Sequence, residues 1–352
     1  MKDVGIEGDD LYRLIGGFSA TQMLYTAVSL GIAELLQDGS RSVKELTVAL
    51  RADEHALYRF LRMLVVLGLL TEETQECFAL SRSGDRLRSD HPQSVRDRIL
   101  YVGEISYMTA RATTHSVITG KPAFDHVFDL PYFDYLAQHP KQNARFSRLM
   151  SASLGGRIAR VMDSYDFSEI RLVADIGGGQ GHLLAAILKR YADVQGILFD
   201  TPAVVSEATG SWVNDPNAHR MRFVGGDLFA DPLPCNADMY ILSNILHDWG
   251  DDASLGILRN CRAAVHPRSR LLLIEDILPA RVEDAPGTIA NDFSMLLLTG
   301  GQQRSVEQFR SLLGKAGFSI DTVHPMGAIQ EGLGKRQDNW AIIACTPLAS
   351  QT

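Results

Sequence analysis

His247 is the residue whose position most suggests chemistry. It follows the apolar run 240–242, which is typical of a buried strand, and it precedes Asp248, Trp249 and a Gly/Asp-rich turn. An imidazole could act as an acid or a base at this strand end, because its pKa lies near working pH. For one histidine considered alone, a buried structural residue is the ordinary interpretation.

A second candidate site is the glycine-rich segment 175–181, which reads Asp-Ile-Gly-Gly-Gly-Gln-Gly. Glycines let the backbone approach a ligand closely and tolerate positive φ. Gly177 and Gly179 fit the dinucleotide-binding pattern, but His182 occupies the place of its third glycine. The carboxylate of Asp175 would repel a pyrophosphate and suits a cationic or amine-bearing ligand. S-adenosylmethionine is such a ligand, since it carries an amino group and a sulfonium but no phosphate.

Two more acids close predicted strands after this segment. Asp200 ends the second strand and could bind ribose hydroxyls, and Asp227 ends the third and could meet the adenine edge. A helix N-cap is the alternative for either aspartate considered alone. Together with Asp175 and four glycines, they predict a site for a nucleoside-type ligand.

The elements that position these residues alternate from residue 171 onward between apolar strands and amphipathic helices. This alternation predicts an α/β fold with a parallel, doubly wound sheet, whose ligands bind at the carboxyl ends of the strands. The strand segments are RLVADIGGG, VQGILFD, MRFVGGD, ADMYILSN and RLLLIED, and the helices are HLLAAILKRY, AVVSEATGSWV and SLGILRNCRAAV.

The first hundred residues predict three helices and a hairpin, a winged-helix pattern. Helical spacing extends to Leu36, Ser42 and Glu45 have the spacing of a capping box, and the segment 71–81 resembles a short hairpin. Such a module could bind DNA or mediate dimerisation. The helix that would enter a DNA groove carries only Arg59 and Arg62 as basic residues, which favours dimerisation.

A mostly helical segment follows up to about residue 165, with breaks at 120–122 and 130–131. It is rich in aromatic residues and methionines. Most of these would form core, but some could line an apolar ligand pocket.

The composition narrows the class of protein. The 352 residues suggest two domains, and 45% hydrophobic with 22% charged residues is typical of a globular protein. A net charge of −8 argues against a nucleic-acid partner. The four cysteines are far apart, which predicts reduced thiols and a cytoplasmic location. The acidic amino terminus lacks a signal-peptide core, and no apolar run reaches the roughly 20 residues of a membrane span.

Five segments occur together in the order LVADIGGGQG, FDTPAVV, VGGDLFADPLP, LSNILHDWGDD and LLIEDILP. With NDFSMLLLTGGQQRS and FRSLLGKAGF, they closely resemble the S-adenosylmethionine-dependent O-methyltransferases of the caffeate/flavonoid and bacterial natural-product type. The resemblance implies a winged-helix-like dimerisation domain at residues 1–100 and a class I, Rossmann-like methyltransferase domain at 101–352. The latter would comprise a helical linking segment, 101–165, and the core, 166–352.

The resemblance also implies catalytic roles. His247 would be the general base that removes the proton of a substrate hydroxyl as its oxygen attacks the cofactor's methyl group, with S-adenosylhomocysteine as product. Glu275 matches an acid beside that histidine, which could orient the ring and stabilise the imidazolium. Gln303 stands where the family often has a second glutamate. A glutamine can orient an imidazole but adds no charge, so His247 would be less basic than with glutamate there.

Binding residues carry over in the same way. The cofactor contacts would be Gly177, Asp200 and Asp227, with Leu228 beside the adenine. The acceptor pocket would be lined by Phe146, Met150 and Met295, and Trp249 could pack beside His247 or be purely structural. Ser243 replaces a lysine common in plant members, so no role is carried over there.

No metal site is expected, because no cluster of histidines and carboxylates is evident. Asp251 and Asp252 are expected to cap the following helix. The sequence therefore favours a dimeric methyltransferase that acts on a phenolic hydroxyl of a small aromatic natural product. Two alternatives are a relative that keeps S-adenosylmethionine but catalyses hydroxylation, decarboxylation or a pericyclic reaction, and a winged-helix regulator that senses S-adenosylmethionine.

Overall fold

The computed structural model describes residues 8–327 and 338–349. The chain divides between Arg111 and Ala112 into two compact units. The first seven residues lie outside the described ranges. They belong to the acidic amino-terminal segment for which the sequence predicts no signal peptide. Within those ranges, no helix has the length and apolar character needed to cross a membrane.

The N-terminal unit is mainly helical. A π-helical turn, Val102–Ser106, connects its last two helices, and three short antiparallel strands pair in the order β1-β3-β2. The strands are β1 (Arg41–Ser42), β2 (Leu70–Thr74) and β3 (Cys77–Leu80). The helices are α1 (Gly8–Ser29), α2 (Ile32–Leu35), α3 (Val43–Leu50), α4 (Glu54–Val66), α5 (Arg82–Asp85), α6 (Arg96–Tyr101) and α7 (Tyr107–Ala110).

Local sequence signals account for most of this unit. The predicted capping box is confirmed, since the Ser42 hydroxyl accepts the Glu45 N–H and the Glu45 carboxylate accepts the Ser42 N–H. The predicted hairpin is confirmed by the pairing of β2 with β3. The helical run predicted up to Leu36 is interrupted, because Gly31 adopts a positive φ of 68° and starts the separate helix α2.

The C-terminal unit contains a seven-stranded sheet in the order β6-β5-β4-β7-β8-β10-β9. The predicted doubly wound sheet is confirmed by five parallel strands, β4 (Leu172–Ile176), β5 (Gln195–Asp200), β6 (Met221–Gly225), β7 (Met239–Ser243) and β8 (Arg270–Asp276). Two strands that the sequence analysis did not identify, β9 (Phe318–Pro325) and β10 (Trp340–Pro347), extend it. Strand β10 runs antiparallel to both of its neighbours.

Nine α-helices are described in this unit. The predicted helical segment is present, and both of its predicted breaks separate helices. The helices are α8 (Thr113–Thr119), α9 (Ala123–Phe128), α10 (Tyr132–Gln138), α11 (Pro140–Ser164), α12 (His182–Arg190), α13 (Pro202–Trp212), α14 (Asp251–Ala264), α15 (Pro286–Leu298) and α16 (Val306–Ala316).

Both faces of the sheet are covered, because successive strand residues alternate between two hydrophobic cores. Ile197 packs in the core that contains residues of α14 and α16, and Leu198 packs in the core that contains residues of α11 and α12. Apolar residues on both faces are typical of parallel strands buried between helices. The first five strands of this sheet therefore end at one edge, where the polar residues singled out above follow them.

Candidate active site

The imidazole of His247 is held by a buried carboxylate. His247 lies in a single 3₁₀ turn, Leu246–Asp248, just after β7, and Glu275 lies on the neighbouring strand β8. Glu275 is fully buried, and its Oε1 accepts the backbone N–H groups of Ile245 at 3.2 Å and Leu246 at 2.9 Å. Its Oε2 lies 3.0 Å from Nδ1 of His247. One carboxylate therefore fixes both the turn and the ring.

This contact determines which ring nitrogen is available. A carboxylate can only accept a hydrogen bond, so Nδ1 carries the proton and the neutral ring keeps its lone pair on Nε2. The Asp248 Oδ1 lies 3.6 Å from Nε2. That distance is too long for a hydrogen bond, so Asp248 acts on the ring through its charge.

The charges around His247 raise its basicity. Burial lowers the pKa of the imidazole, but the carboxylates of Asp248 and Glu275 outweigh burial, and the pKa of His247 rises above its ordinary value. The Arg157 guanidinium opposes them. Burial also raises the pKa of Asp248. The site thus favours a positive charge on the ring, which is the charge that a general base acquires when it takes a proton.

The glycine-rich turn lies against the His247 turn. Gly177, Gly179 and Gly181 have positive φ values of 70°, 57° and 76°, which glycine adopts without strain. A Cβ atom on Gly177 would lie 2.4 Å from Cδ1 of Ile245, two residues before His247. The structure therefore brings together the two candidate sites found in the sequence.

Asp175 has the properties expected of a residue that meets a cationic ligand. It is 1% exposed, and neither carboxylate oxygen has a hydrogen-bond partner in the described part of the chain. Burial, with a smaller contribution from Asp200, raises its pKa to about 7. A Cβ atom on Gly179 would meet no heavy atom of the described residues within 4 Å. An orphaned carboxylate beside an open glycine backbone fits the ammonium-bearing part of S-adenosylmethionine.

The other predicted cofactor residues follow the neighbouring strands. Asp200 ends β5 and accepts the N–H groups of Gly179 at 2.8 Å and Thr201 at 2.7 Å, so it joins the glycine turn to this strand end while keeping further acceptor capacity. Burial, which outweighs these hydrogen bonds, raises its pKa. Leu228 packs against the hydrophobic core.

Asp227 does not end a strand as the sequence analysis expected. Strand β6 ends at Gly225, and Gly226 packs so closely that a Cβ atom there would lie 2.7 Å from the ring of Phe199. Asp227 is exposed and accepts the N–H of Phe229 at 2.8 Å. The strand stops early because Asp227 starts a turn that is closed by its own side chain.

Aromatic rings form a continuous series from α11 to the His247 turn. Phe146 packs edge-on against Tyr132, with centroids 5.7 Å apart, and Tyr132 packs against Phe133 at 5.3 Å. Phe133 stacks on Trp249 at 5.6 Å, and Trp249 meets Phe229 at 4.7 Å. Two predicted acceptor residues, Phe146 and Trp249, are therefore connected through Tyr132 and Phe133, which belong to the aromatic-rich segment that the sequence analysis considered as a possible pocket lining.

The two methionines assigned to the acceptor pocket lie on different helices. Met150 is one turn after Phe146 on α11 and is 41% exposed. Met295 is half-buried on α15. Its backbone carbonyl accepts the N–H groups of Thr299 and Gly300, which begin the connection to Gln303.

Gln303 does not hold the imidazole. It is 4% exposed, and its backbone N–H donates to Asp292 on α15 at 2.7 Å. Its carboxamide oxygen has no hydrogen-bond partner among the residues that the structure describes. The second acid beside His247 is instead Asp248, which the sequence analysis missed as a site residue although it is part of the quoted motif.

The expected helix cap is also replaced. The N-cap residue of α14 is Gly250, which has no side chain to cap the helix, and Asp251 lies in the first turn. Its Oδ1 accepts the Gln302 amide at 2.9 Å and Nε of Arg304 at 3.0 Å. Asp251 is engaged by the segment that follows α15, so it is not free to cap. No sequence signal pairs residues so far apart in the chain.

Within 8–327 and 338–349, no group of three or more His, Cys, Asp and Glu side chains is arranged to hold a metal ion.

Comparison with known proteins identifies the family. Residues 111–319 match the model of the O-methyltransferase domain, and residues 12–89 match that of the O-methyltransferase dimerisation domain. The chain is 38% identical to the phenazine O-methyltransferase PhzM of Lysobacter antibioticus, over 90% of this chain and 92% of that protein. It is 35% identical to the 3-amino-4-hydroxybenzoate 4-O-methyltransferase of Streptomyces cremeus, over 90% and 86%.

A solved structure supports the same assignment. The O-methyltransferase NcsB1 from neocarzinostatin biosynthesis, in complex with S-adenosylmethionine and 2-hydroxy-5-methyl naphthoic acid, superposes with a TM-score of 0.80. The identity is 30%, covering 94% of this chain and 96% of that one. The chain therefore belongs to the O-methyltransferase family with an N-terminal dimerisation domain. It is an S-adenosylmethionine-dependent O-methyltransferase, as the sequence analysis predicted.

We predict that Asp175→Asn weakens binding of S-adenosylmethionine and removes part of its pH dependence. In the wild-type protein, the Asp175 carboxylate becomes more negative as pH rises through about 7, so affinity for the cationic cofactor should increase from pH 6 to pH 8. Calorimetric titration should show an affinity loss of about tenfold at pH 8 in the variant, and a smaller loss at pH 6.

The matched control is Asp193→Asn, which neutralises an exposed aspartate whose one interaction among the described residues is a long ion pair with Arg171. It should bind the cofactor as the wild type does. Equal affinity and equal pH dependence of Asp175→Asn and the wild type would contradict the assignment of Asp175 to the cofactor site.

Proposed function

We propose that this protein transfers the methyl group of S-adenosylmethionine to a phenolic hydroxyl of a small aromatic natural product, with Nε2 of His247 as the general base. The observation that carries the proposal is the 3.0 Å contact between His247 Nδ1 and the buried Glu275. It leaves Nε2 as the basic nitrogen of a ring that lies next to the predicted cofactor site.

The residues of the chain would act mainly on the proton. The bound cofactor supplies an electrophilic methyl group on its sulfonium. Nε2 of His247 would take the hydroxyl proton of the acceptor as its oxygen receives the methyl group, which would leave S-adenosylhomocysteine as the other product. Asp248 and Glu275 stabilise the imidazolium, and Glu275 keeps the ring oriented. Alignment of oxygen, carbon and sulfur would supply much of the rate.

The aromatic series from Phe146 to Trp249 supports an aromatic acceptor. Stacked and edge-to-face rings offer flat apolar surfaces that suit another aromatic ring. The names of the relatives point the same way, since they include a phenazine and an aminohydroxybenzoate methyltransferase. We assign the acceptor-binding side of the site to Phe146, Met150, Trp249 and Met295.

We further propose that transfer does not require a metal ion. Both oxygens of Glu275 already accept hydrogen bonds, from two backbone N–H groups and from the imidazole. Asp248 acts on the ring by its charge, and the oxygens of Glu275 are occupied by hydrogen bonds. This arrangement suits proton transfer better than metal ligation.

The central prediction concerns His247→Ala. Loss of the general base should lower kcat by about 10²- to 10⁴-fold, while the dissociation constant of S-adenosylmethionine stays within about twofold of the wild type. The measurement is transfer of a labelled methyl group to a panel of phenols, phenolic acids and aromatic polyketides, together with a cofactor titration.

The control is His219→Ala, which removes an exposed histidine that contacts only the Pro216 carbonyl among the described residues. A His247→Ala variant that retains wild-type transfer would exclude the base assignment. An acceptor that is altered but unmethylated by the wild type would favour the non-methylating alternative.

We predict that Asp248→Asn shifts the pH–rate profile toward lower pH. The raised pKa of His247 means that the neutral, proton-accepting ring becomes populated only as pH rises through that raised value. Removal of the Asp248 charge lowers this pKa, so kcat should reach half its maximum at a pH lower by about one unit. The check is kcat measured from pH 6 to pH 10.

Asp252→Asn provides the matched comparison, because Asp252 is an exposed acid in the first turn of α14. Its profile should coincide with that of the wild type. Gln303→Glu should shift the profile in the opposite direction, because it adds a negative charge near the His247 turn. An unshifted Asp248→Asn profile would show that Asp248 does not tune the base.

We also propose that the protein is a homodimer assembled through its N-terminal unit. This unit matches the dimerisation domain, and α1 presents an apolar stripe at helical spacing. The stripe consists of Leu11, Leu14, Ile15 and Phe18, which are between 54% and 64% exposed in the single chain. A second copy of the chain would remove these side chains from water.

We expect the double substitution Ile15→Asp and Phe18→Asp to dissociate the dimer, because it would bury four charges in an apolar interface. Light scattering coupled to size exclusion should give twice the mass of the chain for the wild type and once that mass for the variant. Val213→Asp, a similar change at an exposed valine of the other unit, should remain dimeric. A variant with unchanged mass would place the interface elsewhere.

A further inference from the structure

We propose that Arg304 is a positioning residue, which holds the His247 turn in register with Glu275. This inference rests on the proposed role of His247 as the base and goes beyond it, because it concerns what sets the distance between the two side chains. Glu275 and His247 are on different elements and 28 residues apart. A third group that binds both elements would determine how well they meet.

The side chain of Arg304 is bound to the backbone on both sides of His247. It is 1% exposed, and its NH1 donates to the Leu246 carbonyl at 2.7 Å. Its NH2 donates to the Trp249 carbonyl at 2.8 Å and to the Ser254 hydroxyl at 3.2 Å. One rigid guanidinium therefore spans the turn from the residue before His247 to the residue after Asp248.

The backbone of Arg304 is bound to the strand that carries Glu275. Arg304 forms a parallel bridge with Ile277, two residues after Glu275, and its carbonyl accepts the Leu278 N–H at 3.0 Å. The residue thus contacts the extension of β8 with its main chain and the His247 turn with its side chain. A change at Arg304 should alter the relative position of these two elements.

The neighbours of Arg304 leave little room for the turn to shift. The N–H of Gln302 donates to the His247 carbonyl at 2.9 Å. A Cβ atom on Gly301 would lie 2.0 Å from that carbonyl oxygen, which explains why only glycine fits there. Since a 3₁₀ turn of three residues has few hydrogen bonds of its own, these external contacts determine its conformation.

The positive charge of Arg304 is compensated by a neighbouring carboxylate. Its Nε and NH2 contact the Asp251 carboxylate at 3.0 Å and 2.9 Å. The charged groups that act on His247 include Asp248, Glu275, Arg157 and Asp276. Because the Asp251 carboxylate compensates the charge of Arg304, we expect Arg304 to act on the imidazole mainly through geometry, and its substitution should weaken the contact between the ring and Glu275.

The test compares Arg304→Lys and Arg304→Ala with the wild type. Lysine keeps the charge but cannot donate to both carbonyls from a planar fork. We expect Arg304→Lys to lower kcat by about 10- to 100-fold, while KM for the acceptor and cofactor affinity change less than about threefold. Guanidinium ion added to Arg304→Ala should restore part of the lost rate.

A second readout requires no acceptor. The pKa of His247 can be measured by NMR of histidine-labelled protein bound to S-adenosylhomocysteine, with the signal assigned by His247→Gln. In Arg304→Lys this pKa should fall toward the ordinary histidine value, because the hydrogen bond that Nδ1 of His247 donates to Glu275 is weakened. If the wild type methylates no phenol, the proposed function fails. The NMR titration still decides whether Arg304 positions the ring.

The matched control is Arg220→Lys. Arg304 donates to two backbone carbonyls, and Arg220 similarly donates to three, those of Leu188, Tyr191 and Val194. Arg220 lies just before β6, away from His247. It should lose stability without any change in the His247 pKa or in kcat. The proposal is overturned if Arg304→Lys behaves in this same way.

Ser254→Ala tests the same contacts independently if the Arg304 variants do not fold. The Ser254 hydroxyl contacts the same two carbonyls, at 3.3 Å from Leu246 and 3.2 Å from Trp249. Its loss should move the His247 pKa in the same direction by a smaller amount. An unchanged pKa in a folded Ser254→Ala variant would show that these carbonyls do not position the ring, and would overturn the proposal.

Discussion

The geometry of the active site depends on one buried carboxylate. Glu275 has no exposure to water, yet it accepts hydrogen bonds from two backbone N–H groups and from the ring of His247. A buried carboxylate that lost these donors would carry a large desolvation cost, so the turn after β7 has to close around it. The same contacts determine the tautomer of the ring and leave Nε2 as the basic nitrogen.

The other acidic residues at this edge of the sheet differ in their hydrogen bonding, because their surroundings differ. Asp200 is partly satisfied by backbone donors of the glycine turn and the following helix, whereas Asp175 is buried without a described partner. Asp248 has no hydrogen bond to the ring but raises its basicity by charge. A cationic cofactor, and a ring that would become cationic in the proposed role of His247 as the base, both suit an edge that is rich in carboxylates.

The segment between α15 and α16 connects Met295, which we assign to the acceptor side of the site, to the turn that carries His247, the proposed base. It begins at the carbonyl of Met295, packs against the backbone of His247 through Gly301, and ends with Arg304 inside the turn. Substitutions on α15 could therefore change the position of the imidazole as well as the shape of the proposed acceptor pocket. Natural sequence variation in this segment could therefore alter the enzyme's activity without any contact between the varied residue and the substrate.

The sequence by itself determined the class of fold, the family and the cofactor, because these depend on local patterns: apolar strands alternating with helices, positive-φ glycines after Asp175, and the motif around His247. It predicted the capping box at Ser42 and five of the seven strands of the sheet. The tertiary structure decided the pairing of β9 and β10, the place of Asp248 beside Nε2, and the hydrogen bonds of Arg304. These depend on contacts between residues distant in the chain, and neither spacing nor residue type specifies such contacts. For the same reason, Gln303 could be assigned beside the imidazole by resemblance, while the structure orients its backbone toward Asp292 and leaves its carboxamide oxygen without a described partner.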